Sequence, residues 1–174
     1  HVTTTYRPML SALGVVPSER MLAQRNKAEV LIAGAKVATQ TPPIRSGRRV
    51  VFLTLDDGTG PTDATFFEDV QGPFAATVFS SWLLVVRGVV RRTGPRGVSL
   101  RATGAWEMAM LGQAFETGGV EAVRDLMDSA EREALAGAAA GAEEHAGRRV
   151  LVHASGFRQS PYADVKPAEP TTKL

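Results

Sequence analysis

The fold is decided by the stretch Arg48-Arg-Val-Val-Phe-Leu-Thr-Leu-Asp-Asp-Gly-Thr-Gly-Pro-Thr-Asp-Ala-Thr-Phe-Phe67. Its two ends, 48–55 and 62–67, are rich in β-branched and aromatic residues. The segment between them, 56–61, consists mostly of Asp, Gly and Pro. Two β-rich runs joined by such a turn predict a β-hairpin.

Side chains alternate along a strand, so each residue of this hairpin belongs to one of two faces. The aliphatic face carries Val51, Leu53, Leu55, Ala64 and Phe66, and the opposite face carries Phe52, Thr54, Asp63, Thr65 and Phe67. If the aliphatic face is the interior of a barrel, Phe52 and Phe67 lie on its outer surface.

The flanking sequence predicts three more strands and one helix. A β-rich run at 29–37 contains Gly34, and a glycine inside a strand often marks a bulge or bend. Behind Gly-Pro, 71–81 suits a short helix begun by the proline. A second hairpin follows at 82–92 and 98–103. This order, three strands, a helix and two strands, is that of the OB-fold, a five-stranded Greek-key barrel, although other small barrels fit the same runs.

The predicted fold class is therefore mainly β (α+β), with helical segments before and after the barrel. Ser18 is a candidate N-cap in the first of these segments. The predicted domains are a helical lead-in at 1–27, the OB-fold at 28–108, a helix with an Ala-rich linker at 109–147, and a strand with a tail at 148–174.

Composition excludes several classes of protein. The 174 residues contain no cysteine, which removes disulfides, thiolate metal sites and cysteine nucleophiles. The three histidines, at positions 1, 145 and 153, have no metal-ligand spacing, so neither a metal nor another cofactor is expected. The longest apolar run, 82–86, is far below the roughly 18 residues that a membrane span needs. We expect a cytoplasmic location and no membrane partner.

Motifs for catalysis are weak throughout. Asp56 and Asp57 could serve as acid and base or bind a metal, but in a turn before glycine Asp is usually chosen for bonds to backbone N–H groups. The glycines at 58 and 60 lack the spacing and the helix of a phosphate-binding loop. No catalytic residue is predicted, and this segment alone is not expected to be an enzyme.

Charge points instead to binding. Residues 1–49 carry eight basic and two acidic residues, and the arginines form two clusters, at 45–49 and 87–101. Such clusters suit a polyanion. In an OB-fold they fall on the two loops that border the binding face, where aromatic side chains stack bases. The predicted nucleic-acid-binding residues are Arg45, Arg48, Arg49, Phe52, Thr54, Thr65, Phe67, Arg92 and Arg96.

Other interpretations stay open at this point. The arginines could simply solubilise the surface, and Phe67 could cover a helix or a neighbouring domain. Trp82 and Trp106 are expected in the core rather than as stacking residues. An alternative function is a protein–protein interaction module within a larger complex.

The sequence also resembles a known family. The segment Val37-Ala-Thr-Gln-Thr-Pro-Pro-Ile-Arg-Ser-Gly-Arg-Arg-Val-Val-Phe-Leu-Thr-Leu-Asp-Asp-Gly-Thr-Gly60 and the run Arg91-Arg-Thr-Gly-Pro-Arg-Gly-Val-Ser-Leu-Arg-Ala-Thr-Gly104 are similar to the C-terminal region of the error-prone α subunit of bacterial C-family, polymerase III-type DNA polymerases. The closing segment from Arg149 to Asp164 is similar to the extreme C-terminus of that family.

This resemblance implies an OB-fold near the end of a larger polymerase, where it engages the single-stranded template ahead of the active site. The family's catalytic aspartates match no stretch here. The resemblance further implies a role in the SOS response, translesion synthesis and repair. The partners it implies are single-stranded DNA, a Y-family-like mutasome protein and the sliding clamp.

Overall fold

A computed structural model describes residues 1–42, 45 and 47–147. The chain divides into two compact units, His1–Ala140 and Gly141–Leu174. Of the second unit, only 141–147 belong to the described residues. The strand predicted at the start of the C-terminal segment 148–174 lies outside them.

Five strands close into a barrel in the order β1-β2-β3-β5-β4. The strands are β1 (Glu29–Gln40), β2 (Val51–Asp56), β3 (Pro61–Phe66), β4 (Leu83–Arg92) and β5 (Val98–Glu107). All neighbours are antiparallel except β3 and β5, which run parallel. This arrangement, with one helix between β3 and β4, confirms the predicted OB-fold.

The barrel interior holds the predicted aliphatic face of the hairpin. Val51, Leu53, Leu55, Ala64 and Phe66 are all buried. Because their neighbours along each strand point the opposite way, the same pleat turns the other face outward. The assignment of faces from sequence alternation is therefore confirmed.

The first strand bends so that it can pair with two neighbours. Its first half pairs with β4 and its second half with β2, and the register shifts between Lys36 and Ala38. Gly34 lies just before this change of partner. A Cβ atom there would meet the carbonyl oxygen of Asp56 at 2.6 Å, so the close approach of β1 to β2 requires glycine.

Helix α2 (Glu68–Ser80) begins earlier than the sequence predicted. Pro73 does not start the helix but lies inside it, and Phe67 adopts an extended conformation at the N-cap. Two acidic residues, Glu68 and Asp69, occupy the first turn, where they interact favourably with the helix dipole. The predicted start was wrong because the proline was interpreted as the first helical residue.

The lead-in contains helix α1 (Arg7–Leu13) and a 3-10 segment (Ser18–Ala23). Ser18 is not the predicted N-cap: its own N–H donates to the Asp57 carboxylate at 2.8 Å. Asp57 also accepts from the backbone N–H and the hydroxyl of Thr59, both at 2.8 Å. These bonds give Asp57 the structural role expected of a turn aspartate, because they fasten the lead-in to the β2–β3 turn.

Asp57→Asn is expected to lower the free energy of unfolding at neutral pH by about 1 kcal/mol, since the partly exposed carboxylate loses charge-assisted hydrogen bonds. Burial alone would raise the pKa of Asp57, but the hydrogen bonds from Ser18 and Thr59 outweigh it and hold the pKa below its ordinary value. A lowered folded-state pKa stabilises the protein above the unfolded-state pKa, and this stabilisation is lost as the pH falls through the folded-state value.

Urea unfolding of wild type and Asp57→Asn at neutral and acidic pH measures this dependence. The difference in unfolding free energy should shrink as the medium becomes acidic. Asp125→Asn, at an exposed position outside the lead-in and the β2–β3 turn, is the control and should match wild type. A difference that stays constant with pH would contradict the assignment of these bonds to the ionised carboxylate.

Helix α3 (Met108–Gly147) leaves the helical conformation at Gly119, where φ is +69°. It includes the Ala-rich stretch predicted as a loosely held helix or linker. Arg87 of β4 fastens its middle part to the barrel by ion pairs to Asp128 at 2.7 Å and Glu131 at 2.9 Å. None of the helices in the described part of the chain combines the length and apolarity of a membrane span.

Candidate nucleic-acid interface

The outer face of the barrel carries a row of side chains across three strands. Phe52 of β2 lies opposite Thr65 of β3, and Thr65 is paired with Arg101 of β5. Phe52 leaves 41% of its surface exposed, and Arg101 is also exposed. An aromatic ring, a hydroxyl and a guanidinium therefore stand side by side on the face where OB-folds bind oligonucleotides.

Phe67 borders this row from the start of α2. The guanidinium carbon of Arg101 lies 4.7 Å from the centre of the Phe67 ring, a cation–π contact. Arg101 also lies 3.8 Å from the Asp69 carboxylate, and both of these side chains are more than half exposed. Arg101 thus covers one side of Phe67, and its planar group is itself available for stacking.

Two adjoining grooves follow the row. One, of about 280 Å³, runs along Phe52, Thr65, Phe67, Arg91 and Arg101. The other, of about 580 Å³, is lined by Phe67 and Arg101 together with Arg48, Arg49, Glu68 and Asp69. Because the grooves share Val50, Phe67 and Arg101, the loop arginines and the aromatic face border one continuous depression.

The arginines of the β1–β2 loop present free guanidinium groups to this depression. Arg48 and Arg49 are exposed, and within the described residues neither guanidinium has a hydrogen bond or an ion pair. The main chain beside them is fixed, because the Gln71 side-chain amide donates to the Arg49 carbonyl at 2.7 Å. A held backbone with unpaired cations is suited to contact phosphates.

On the side of the depression near β4 and β5, the lining arginines are Arg91 and Arg101, and not the predicted Arg92 and Arg96. Arg92 turns its guanidinium inward, where it donates to the carbonyls of Leu22 and Gln24 in the lead-in. Arg96 is exposed in the β4–β5 turn but lines neither groove, whereas Arg91, which precedes Arg92 in β4, lines the first groove. Arg92 therefore has a structural role in joining the lead-in to the barrel.

Arg91 and Arg101 are the groove residues that the sequence reasoning missed. The predicted binding arginines lie in or beside loops, whereas these two lie within strands, where the alternation of side chains indicates which of them point outward. Leu100 and Ala102 are buried, so Arg101 between them must point outward. The same alternation of inward and outward side chains, applied to β5, predicts that Arg101 lies on the outer face with Phe52 and Thr65.

Thr54 and Arg45, the other predicted binding residues, and the two tryptophans differ in how exposed they are and in what they contact. Thr54 is on the outer face, but its hydroxyl donates to Asp63 at 2.6 Å, so it is occupied by that carboxylate. Arg45 is exposed in the β1–β2 loop. Trp106 is buried as predicted, in edge-to-face contact with Phe74. The prediction for Trp82 was wrong, because 67% of its surface is exposed.

Residues 30–107 match the domain family described as tRNA anti-codon, OB-fold nucleic acid binding domain. Together with the closed barrel, this match identifies the fold of this segment as an OB-fold. In the residues that the structure describes, no group of three or more His, Asp or Glu side chains is placed to hold a metal ion.

Relatives of this chain include error-prone DNA polymerases, which confirms the resemblance drawn from the sequence. The protein of that name from Caulobacter vibrioides is 39% identical over 92 residues, which cover 53% of this chain and 8% of the relative. The one from Symbiobacterium thermophilum is 36% identical over 80 residues, 46% of this chain and 7% of the relative. The chain thus spans less than a tenth of these relatives' length.

The solved structures that are similar to this chain are more distant. Asparaginyl-tRNA synthetase from Pyrococcus horikoshii is 18% identical with a TM-score of 0.43, over 54% of this chain and 23% of the synthetase. RecG bound to a three-way DNA junction is 16% identical with a TM-score of 0.41, over 53% of this chain and 12% of RecG. Likenesses at this distance do not bear on the function of this chain.

Proposed function

We propose that this chain binds single-stranded DNA, as the template-contacting OB-fold of an error-prone, damage-induced DNA polymerase α subunit. The observation that carries the proposal is the outer row of Phe52, Thr65 and Arg101, flanked by the unpaired guanidinium groups of Arg48 and Arg49. Bases stack on the aromatic and guanidinium planes, and the loop arginines neutralise phosphates.

A single strand fits this face better than a duplex does. Stacking on Phe52 needs a base whose face is open, which a paired base in a duplex does not offer. Stacking is also tolerant of sequence, as a template reader requires. By this proposal the segment binds and does not catalyse, and any polymerisation belongs to other parts of a longer protein.

The other expectations from the resemblance stay predictions. They apply only if the chain acts within such a polymerase. They are two partners, a Y-family-like mutasome protein and the sliding clamp, a cytoplasmic location, and roles in the SOS response, translesion synthesis and repair. Support for that context comes from the 34–39% identity to error-prone DNA polymerases.

Fluorescence anisotropy with a labelled oligo-dT at two or more salt concentrations tests the proposal. Replacing both Arg48 and Arg49 with alanine should weaken binding and flatten its dependence on salt. Each phosphate contact contributes about 0.7 to the slope of log K against log salt on single strands, so the slope should fall by about 1.4.

The matched control removes two arginines of α3, Arg124 and Arg132, which are part of neither groove. It lowers the net charge equally and should leave the salt slope near that of wild type. Equal slopes for the two double variants would mean that only net charge matters, and the placement of the strand beside Arg48 and Arg49 would then be rejected.

A further inference from the structure

A second hollow lies on the other side of the Arg48–Arg49 segment from the aromatic row. Its volume is about 580 Å³, and it is lined by Arg48, Arg49 and Val50 together with Gln71, Ala75 and Phe79 of α2. Arg48, Arg49 and Val50 also line the groove on the first side. One continuous surface therefore runs from the barrel face, across these arginines, to α2.

The wall of this hollow is one face of α2. Residues 71, 75 and 79 are spaced by four and so stand one turn apart. The small side chain of Ala75 leaves the middle of the hollow open. The side-chain amide of Gln71 donates to the carbonyls of Arg49 and Phe66, which holds the end of the β1–β2 loop against α2. Phe79 leaves 52% of its surface exposed, whereas Phe74 and Val78 of the same helix are buried in the core.

The charge around the hollow favours an anionic occupant. Its lining contains two arginines and no acidic residue, in contrast to the adjoining groove, which includes Glu68 and Asp69. At the far end the Lys36 ammonium donates to the carbonyls of Val78 and Phe79, at 2.9 and 2.8 Å, which places a further positive charge beside Phe79. An exposed ring between cations is the combination that binds single strands.

We propose that Phe79 is a second stacking platform, and that a bound single strand continues from the barrel face across Arg48 and Arg49 to α2. This inference rests on the proposed function, because it extends the same strand beyond the aromatic row. It predicts that short oligonucleotides occupy the barrel face alone and that longer ones gain affinity through Phe79.

Binding of oligo-dT of increasing length, from about 4 to about 16 nucleotides, measures this extension. For wild type the affinity should rise until both platforms are filled. Phe79→Ala should match wild type for the shortest oligonucleotides and lose at least about fivefold for the longest, the equivalent of a weak base stack of about 1 kcal/mol. Phe79→Tyr, which keeps an aromatic face, should restore the gain with length.

Leu135→Ala is the control, since it shortens another exposed apolar side chain, in α3 and outside the hollow. It should reproduce the wild-type series. If wild type binds short oligonucleotides but Phe79→Ala shows the same length dependence, the second platform is rejected and the proposed function stands. If wild type binds no oligonucleotide of any length, the proposed function itself fails.

Discussion

Phe52→Ala is expected to weaken binding of single-stranded oligonucleotides by about 5- to 150-fold, the largest effect of any single substitution on binding. Base stacking on an aromatic ring contributes about 1–3 kcal/mol, and every 1.4 kcal/mol is a factor of ten in the dissociation constant. Phe52 is the exposed aromatic ring of the row, and within the described residues no guanidinium stacks on it as that of Arg101 stacks on Phe67.

The loss should be similar for oligonucleotides of any base composition, because every base offers a face for stacking. Anisotropy titrations with dT and mixed-sequence oligonucleotides measure it. Phe52→Tyr should bind like wild type, and Val37→Ala, which shortens an exposed apolar side chain of β1, serves as the control. Wild-type affinity for Phe52→Ala would remove the aromatic row from the binding site.

Gly34→Ala is expected to have the largest effect on folding, a loss of about 1–3 kcal/mol in the free energy of unfolding. The added methyl group would stand 2.6 Å from the carbonyl oxygen of Asp56, a main-chain atom that cannot turn away as a side chain can. Relief of this contact requires β1 and β2 to separate at the bend where β1 exchanges β4 for β2 as its partner.

Urea unfolding of Gly34→Ala compared with Gly137→Ala measures this effect. Gly137 lies within α3, where an added Cβ would meet nothing within 4 Å, so alanine there should be neutral or stabilise the protein by up to about 1 kcal/mol. If both variants unfold at the same urea concentration as wild type, the close approach of β1 to β2 is not a constraint on the fold.

The sequence was sufficient for the barrel because the barrel depends on local pattern. Alternation of apolar side chains assigned the hairpin residues to their faces, and turn chemistry placed the breaks between strands. Helix α2 was predicted in the right place, but not from its first residue. A proline such as Pro73 is common in the first turn of a helix, so it was taken to mark the start of α2. In the structure the helix begins at Glu68, directly after the extended residue Phe67.

The site was harder to predict, because its composition depends on contacts between distant parts of the chain. Arg92 and Arg91 are neighbours in sequence with the same chemistry, yet Arg92 binds carbonyls of the lead-in, some 70 residues earlier, and Arg91 faces the groove. Strand alternation places the two side chains on opposite faces of β4, but only the fold shows that the lead-in meets the side chain of Arg92. Trp82 was wrongly expected in the core because of its size. It lies just before β4, and its side chain is exposed.

Nuclear magnetic resonance titration of the ¹⁵N-labelled chain with oligo-dT tests the central claim most directly, because it reports which backbone amides sense the ligand. The proposed site predicts that the largest shift changes occur at Phe52, Thr65, Phe67 and Arg101, with smaller changes at Arg48 and Arg49. Saturating oligonucleotide that shifts only amides of α1 or α3, or none at all, would contradict the account.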